Sequence, residues 1–162
     1  MKNAFAIVAL ALANTLQAGD WPQFRGPGAQ GHANAKLPVN ISADSPHLKW
    51  KAPVPGSGWS SPVIIGGKIY LTSAIEKGEG LSLNALCLNA ADGKLDWNTP
   101  IFGIEKAPRM HRKNTQASPT PIVDGKQVYV HFGHMGTAAL SLDGKLAWKN
   151  DAIKYSPVHG NG

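Results

Sequence analysis

The densest polar run in this chain is Pro108-Arg109-Met110-His111-Arg112-Lys113-Asn114. Arg109, Arg112 and Lys113 are cations at any ordinary pH, and His111 joins them as pH falls. A guanidinium presents a planar fork of donors that matches the oxygens of a carboxylate, phosphate or sulfate. The run Arg109, His111, Arg112, Lys113 and Asn114 is therefore a candidate contact for a small anionic ligand or a protein partner. The plainer reading is a solvated loop that braces its neighbours. Loops held on rigid scaffolds carry function more often than strands do, so the run stands as the leading site.

Other groups offer less. His131 and His134 stand three apart, with His159 later, and histidine is a common metal ligand. A strand end and a turn do not guarantee these side chains a common centre, and no metal site is assigned. Ser60-Ser61, Ser118 and Ser156 each lead into a proline, without the His and Asp spacing of a nucleophile. They read as residues that open strands, where proline fixes the backbone. Gly56-x-Gly58 and Gly133-x-x-Gly136 lack the following helix that a phosphate-binding loop requires. Cys87 is the single cysteine and has no internal disulfide partner. Its apolar neighbours Leu86 and Leu88 make it a buried thiol rather than a reactive one. Trp21, Phe24 and Trp59 would be the aromatics of a carbohydrate-binding surface, but packing explains them equally well. No catalytic constellation is present.

The elements that must position these residues come as a repeat. SPVIIGGKIYLTS (61–73) followed by LCLNAADGKLDW (86–97) returns as TPIVDGKQVYVHF (120–132) and ALSLDGKLAW (139–148). Pro62 precedes Tyr70, and Pro121 precedes Tyr129, by the same eight positions. Gly93 precedes Trp97, and Gly144 precedes Trp148, by the same four. A unit of roughly 40–50 residues with four short strands is the mark of a propeller blade.

Blade one is expected over 59–99, with strands at 60–65, 68–73, 83–89 and 95–99. Blade two is expected over 117–149, with strands at 117–123, 128–132, 137–142 and 146–149. Gly66-Gly67, Asp92-Gly93, Asp124-Gly125 and Asp143-Gly144 are hairpin-type turns. Residues 76–80 and 100–116 read as irregular loops. Residues 19–47 form an extended arm, and Leu48 to Lys51 a lone strand whose Trp50 matches Trp97 and Trp148. Residues 155–162 look like the start of a third blade. The fold class is all-β: a partial propeller of about two four-stranded antiparallel blades, N-terminal to blades the chain does not hold. No segment keeps a helical apolar period.

The stretch Leu86 to Trp97 resembles the tryptophan-docking motif of quinoprotein-type propellers, which runs roughly Ala-x-Asp-x-x-Thr-Gly-x-x-x-Trp. Gly93 and Trp97 match it, while Asn89 and Asp92 replace the usual Asp and Thr. Ala139 to Trp148 is a shortened copy that keeps Gly144 and Trp148. Trp21-Pro22-Gln23-Phe24-Arg25-Gly26-Pro27 is similar to the opening of exported bacterial proteins with pyrroloquinoline-quinone-like repeats. The resemblance implies blade docking through Gly93, Trp97, Gly144 and Trp148.

It also implies two kinds of function. One branch holds pyrroloquinoline quinone with calcium and oxidises alcohols or sugars, often with a Cys-Cys disulfide beside the cofactor. The other branch is non-catalytic and binds protein partners, as the outer-membrane barrel-assembly lipoprotein does. Cys87 alone cannot supply that disulfide, and no carboxylates are identifiable as calcium ligands.

Bulk properties agree with an exported repeat protein. The 162 residues include 18 Gly and 12 Pro, and 43% are hydrophobic. That suits a packed, turn-rich β fold. Residues 1–18 read as an export signal: Lys2, then an apolar run from Ala4 to Leu12, then Leu16-Gln17-Ala18 before the cut. The apolar run is short for a membrane span. Loss of Lys2 would lower the net charge from +6 to +5. The remaining cations are scattered along the chain, which argues against nucleic acid. The expected protein is therefore periplasmic or secreted. It is expected to be a binding or scaffold protein, with a quinone-dependent oxidoreductase as the alternative.

Overall fold

The computed structural model describes residues 19–42 and 44–153. The expected signal at 1–18 and third blade at 155–162, with His159 and Ser156, lie outside the described residues.

Two four-stranded antiparallel sheets make up the fold. The first comprises β1 (Val63–Ile65), β2 (Lys68–Lys77), β3 (Gly80–Asn89) and β4 (Leu95–Ile104). The second comprises β5 (Ile122–Val123), β6 (Gln127–His131), β7 (Thr137–Ser141) and β8 (Leu146–Asn150). Each sheet is a simple meander, in which sequence neighbours are spatial neighbours. Strand β1 lies beside β5, and β4 beside β8. The two sheets therefore stack as successive blades.

The turns explain the register. Ile65 pairs with Lys68, and Gly66 and Gly67 both hold positive φ, at 57° and 74°. Such a turn needs left-handed backbone at both central positions, which glycine supplies without strain. The β2–β3 hairpin is longer than its sequence suggests. Pairing continues to Lys77 and Gly80 around a tight Gly78-Glu79 turn. The expected loop at 76–80 is therefore mostly strand, because Gly78 takes φ 59° and lets the chain reverse within two residues.

Strand β4 likewise runs through Pro100 to Ile104, where an irregular segment was expected. Leu83 pairs with Phe102 and Asn84 with Pro100, leaving Ile101 as the extra residue of a bulge. Proline lacks an N–H, but an outer strand with a bulge accommodates it. The opening strands are shorter than expected. Residues 60–62 and 117–121 stay outside the sheets, because Trp59 and Ser60 both donate their N–H groups to the Ala117 carbonyl instead. Leu48 to Lys51 forms no strand. Trp50 is held by its side chain rather than by a ladder.

A second bulge recurs in both sheets just before the repeat tryptophan. Cys87 pairs with Trp97 and Leu88 with Leu95, leaving Asp96 extra. Ala139 pairs with Trp148 and Leu140 with Leu146, leaving Ala147 extra.

The core lies between the sheets. Val63, Tyr70, Leu83, Ala85, Cys87 and Phe102 from the first meet Val128, Val130, Phe132, Ala138 and Leu140 from the second. Phe102 and Phe132 meet edge to face, with centroids 6.1 Å apart and planes at 84°. On the first sheet the row Val63, Tyr70, Cys87, Trp97 faces this core. On the second sheet the same register holds Ile122, Tyr129, Ala139 and Trp148. There the row faces outward, and Ile122 and Trp148 are exposed.

Candidate functional site

Antiparallel pairing sorts the turns to two ends. The Gly66, Gly93, Gly125 and Gly144 turns share one end. The β2–β3 and β6–β7 turns share the other, with the crossing segment 105–121 that leaves β4 and enters β5. The candidate cationic run belongs to that second end.

The blade-docking residues are brought together as pairs. Trp97 Nε1 donates to the Leu142 carbonyl at 3.0 Å, and Thr99 Oγ1 donates to the Gly144 carbonyl at 2.7 Å. Trp50 repeats the contact one blade earlier, donating to the Ala90 carbonyl at 3.0 Å beside Gly93. Trp148 has the same place on the second sheet but is 45% exposed. It docks on nothing among the described residues.

The run 109–114 is held as a closed loop. Asn114 donates its N–H to the His111 carbonyl at 2.9 Å, and Lys113 donates its own to His111 Nδ1 at 3.2 Å. Asn114 Oδ1 accepts from the Thr115 N–H at 2.9 Å and from Ser118 Oγ, so it braces the loop rather than facing out. Ser118 Oγ also accepts from the Thr115 N–H at 3.1 Å and lies 2.9 Å from the Thr115 carbonyl, an alternative acceptor for its one hydrogen. Arg109, His111, Arg112 and Lys113 are exposed. Among the described residues the ion pairs are Lys68–Asp96, Lys94–Asp92 and Lys145–Asp143, so none of the loop's cations is paired. All three pairs sit at the opposite, glycine-turn end.

The histidines do not converge. His131 Nδ1 lies 2.8 Å from Thr137 Oγ1, in a groove with Trp148, Asn150 and Ile153. His134 faces a separate crevice with Phe102, Lys106, Met135 and Asp151, about 300 Å³ in volume. Sequence offered no signal for this crevice, because its lining comes from three separate segments. Among the described residues no three His, Cys, Asp or Glu side chains gather as a metal site.

Ser60 Oγ accepts from the Thr72 N–H at 3.1 Å, and Ser61 N–H donates to Thr120 Oγ1 at 3.3 Å. The first ties the segment before β1 to β2, and the second ties it to the segment before β5. Gly56 and Gly58 let the chain approach β2, where a Cβ at either would fall within 2.6 Å of backbone oxygen. Gly133 to Gly136 forms a tight turn. Trp21 pairs with Ile64 at the free edge of β1, donating at 2.7 Å and accepting at 2.9 Å, under Gly26. Phe24 carries the Arg25 guanidinium 5.4 Å above its ring, and Trp59 is 59% exposed.

Cys87 is buried between the sheets, with Sγ 3.9 Å from Asp96 Oδ2. Asp96 also accepts from Lys68 at 2.6 Å. Burial first, and the Asp96 charge second, push the thiol up to about 11. Burial likewise pushes the Tyr70 hydroxyl up to about 12, with Cys87 adding to it. These groups stay protonated at neutral pH, which suits packing rather than nucleophilic chemistry.

No helix among the described residues is long and apolar enough to cross a membrane. No curated protein matches the chain. The family model of the outer membrane protein assembly factor BamB, built on pyrroloquinoline-quinone-type repeats, matches residues 34–159. That span takes in the docking tryptophans, both sheets and the cationic loop, and the chain belongs to this family of quinoprotein-like β-propellers.

Proposed function

We propose that this chain is a non-catalytic binding or scaffold module of the cell envelope, exported by residues 1–18 and acting through protein contacts. The observation that carries this reading is the loop of exposed cations at one end of the blades, without carboxylate partners among the described residues. Paired turn lysines at the other end give no such surface. Family membership supports the reading, since the matched description is of an assembly factor.

The alternative reading, a quinone-dependent oxidoreductase, has less support among the described residues. Pyrroloquinoline quinone with calcium needs several converging oxygen ligands, and no such gathering of acidic groups is present among them. Cys87 is enclosed beside Tyr70 between the sheets, away from any open face.

The test is affinity capture from envelope extracts after in-cell crosslinking, comparing the wild-type protein with an Arg109→Glu/Arg112→Glu/Lys113→Glu variant. The expected result is a discrete set of captured proteins that the variant loses. Capture of the same set by both would remove the loop from the reading. Dye-linked alcohol or sugar oxidation by the purified protein, after addition of the quinone and calcium, would overturn the scaffold role itself. N-terminal sequencing of the mature protein should begin near Gly19.

A further inference from the structure

We infer that the loop 108–116 and Trp59 together form a docking surface for an extended acidic peptide segment of a protein partner. This deepens the scaffold reading and rests on it. The two parts lie far apart in sequence but share a foot. Ala117, directly after the loop, accepts the N–H groups of both Trp59 and Ser60, at 3.0 and 3.1 Å. On the other side Gly58 comes so close to β2 that a Cβ would fall 2.6 Å from the Thr72 carbonyl oxygen and 3.3 Å from that of Ala117. The Trp59 backbone is thus fixed against the loop, while its ring remains 59% exposed.

The loop itself is shaped before any ligand arrives. Gln116 Nε2 reaches the Pro108 carbonyl at 3.5 Å, and the Thr115–Ser118 hydrogen bonds anchor its end. A loop ordered in advance loses less entropy on binding. Arg109, Arg112 and Lys113 are all exposed on this loop. Glu79 and Glu105 stand at its other foot, and neither pairs with these cations.

Exposed cations in no ion pair favour a partner that brings carboxylates, and Trp, Tyr and Arg are the residues enriched in protein hot spots. A membrane surface fits less well. Met110 is half-buried, and the exposed apolar groups nearest in sequence to the loop and its foot, Trp59 and Ile122, are isolated side chains. Interfacial binding needs a broad apolar face.

The experiment uses the full chain and a fluorescein-labelled peptide of alternating Asp and Glu with one central Trp, read by fluorescence anisotropy. The expected result is saturable binding, weakened at least tenfold by Arg109→Glu/Arg112→Glu and several-fold by Trp59→Ala. A peptide with Asn and Gln in place of Asp and Glu should not bind. Circular dichroism and thermal melts on each variant check the fold, which these exposed positions should leave intact. Equal binding of the amide peptide, or binding that the folded variants retain, overturns the proposal. So does binding of phosphatidylglycerol vesicles with none of the peptide. If the peptide fails while the triple-Glu variant still loses captured proteins, the scaffold reading stands and the acidic-peptide inference falls.

Discussion

Trp97 covers Gly144: a Cβ at Gly144 would fall 2.6 Å from the indole, whose Nε1 donates to Leu142 at 3.0 Å. Trp50 and Gly93 stand in the same relation one blade earlier, at 2.5 Å. One contact, used twice, sets how each blade seats on the next. Gly144 holds φ 83°, so a side chain there meets both the ring and a disfavoured backbone. Gly144→Ala should cost about 1–3 kcal/mol from overpacking, with about 1 kcal/mol more from the backbone. Trp97→Ala should cost about 3 kcal/mol, near the lower end for aromatic truncation because the ring is only half-buried. Trp148→Ala should cost within about 0.5 kcal/mol in this chain, as an exposed substitution does. Urea unfolding of the three variants checks the set, and equal losses for Trp97 and Trp148 would refute the docking account.

Trp50 joins the arm to the first sheet by side chain alone. Its Nε1 donates to the Ala90 carbonyl across 40 positions of sequence. Trp50→Phe keeps an aromatic ring and removes the donor, and should cost about 1 kcal/mol. Trp50→Ala should also loosen residues 51–56, which run between this anchor and the Ser57–Ala74 bridge. Limited proteolysis followed by mass spectrometry should then show new cleavage within that stretch. An unchanged digestion pattern would mean that the Ser57–Ala74 bridge holds the arm without Trp50.

Both meanders could be read from the sequence because their signals are local. Gly66-Gly67 and the Asp-Gly pairs fix hairpin turns, and alternation around Tyr70 and Tyr129 fixes the strand faces. Trp50 was matched to Trp97 and Trp148, but its lack of a strand was not legible. A docked indole and a ladder strand leave the same short apolar trace. Gly78 hid a tight turn inside what looked like a charged loop, and Pro100 hid a bulged strand. The cations at 109–113 were legible as a cluster. Their link to Trp59 was not, because it runs through the carbonyl of Ala117, and a carbonyl carries no sequence signature.

Cys87 should be silent to thiol reagents in the native protein. It is 1% exposed, and its thiol is pushed up to about 11, so the thiolate is scarce at neutral pH. A chromogenic disulfide reagent at neutral pH should label less than a few per cent of the chain, and all of it in urea. Asp96→Asn removes the neighbouring charge that disfavours the thiolate. It should raise the native labelling rate without exposing the sulfur. Rapid labelling of the native wild type would contradict the enclosed position between the sheets.

Alkaline pH should loosen the seam between the blades. In the unfolded chain Cys87 titrates near 9.0 and Tyr70 near 10.0, while in the folded protein they are held up to about 11 and about 12. Above pH 9 the unfolded chain therefore gives up protons first, and the equilibrium moves toward it. The stability these protonated groups supply is complete below pH 9. It falls as pH rises through 11 and 12, after which the loss levels off. For the thiol the change is on the order of 2–3 kcal/mol. The two groups touch, so their contributions will not simply add. Tyr70→Phe removes one titration and should flatten the upper part of the curve, although it also removes a hydroxyl bonded to Cys87. Cys87→Ala should flatten the lower part. Urea midpoints measured from pH 8 to pH 12 on the wild type and both variants test this directly. A wild-type midpoint constant across that range would show that neither group is enclosed when folded.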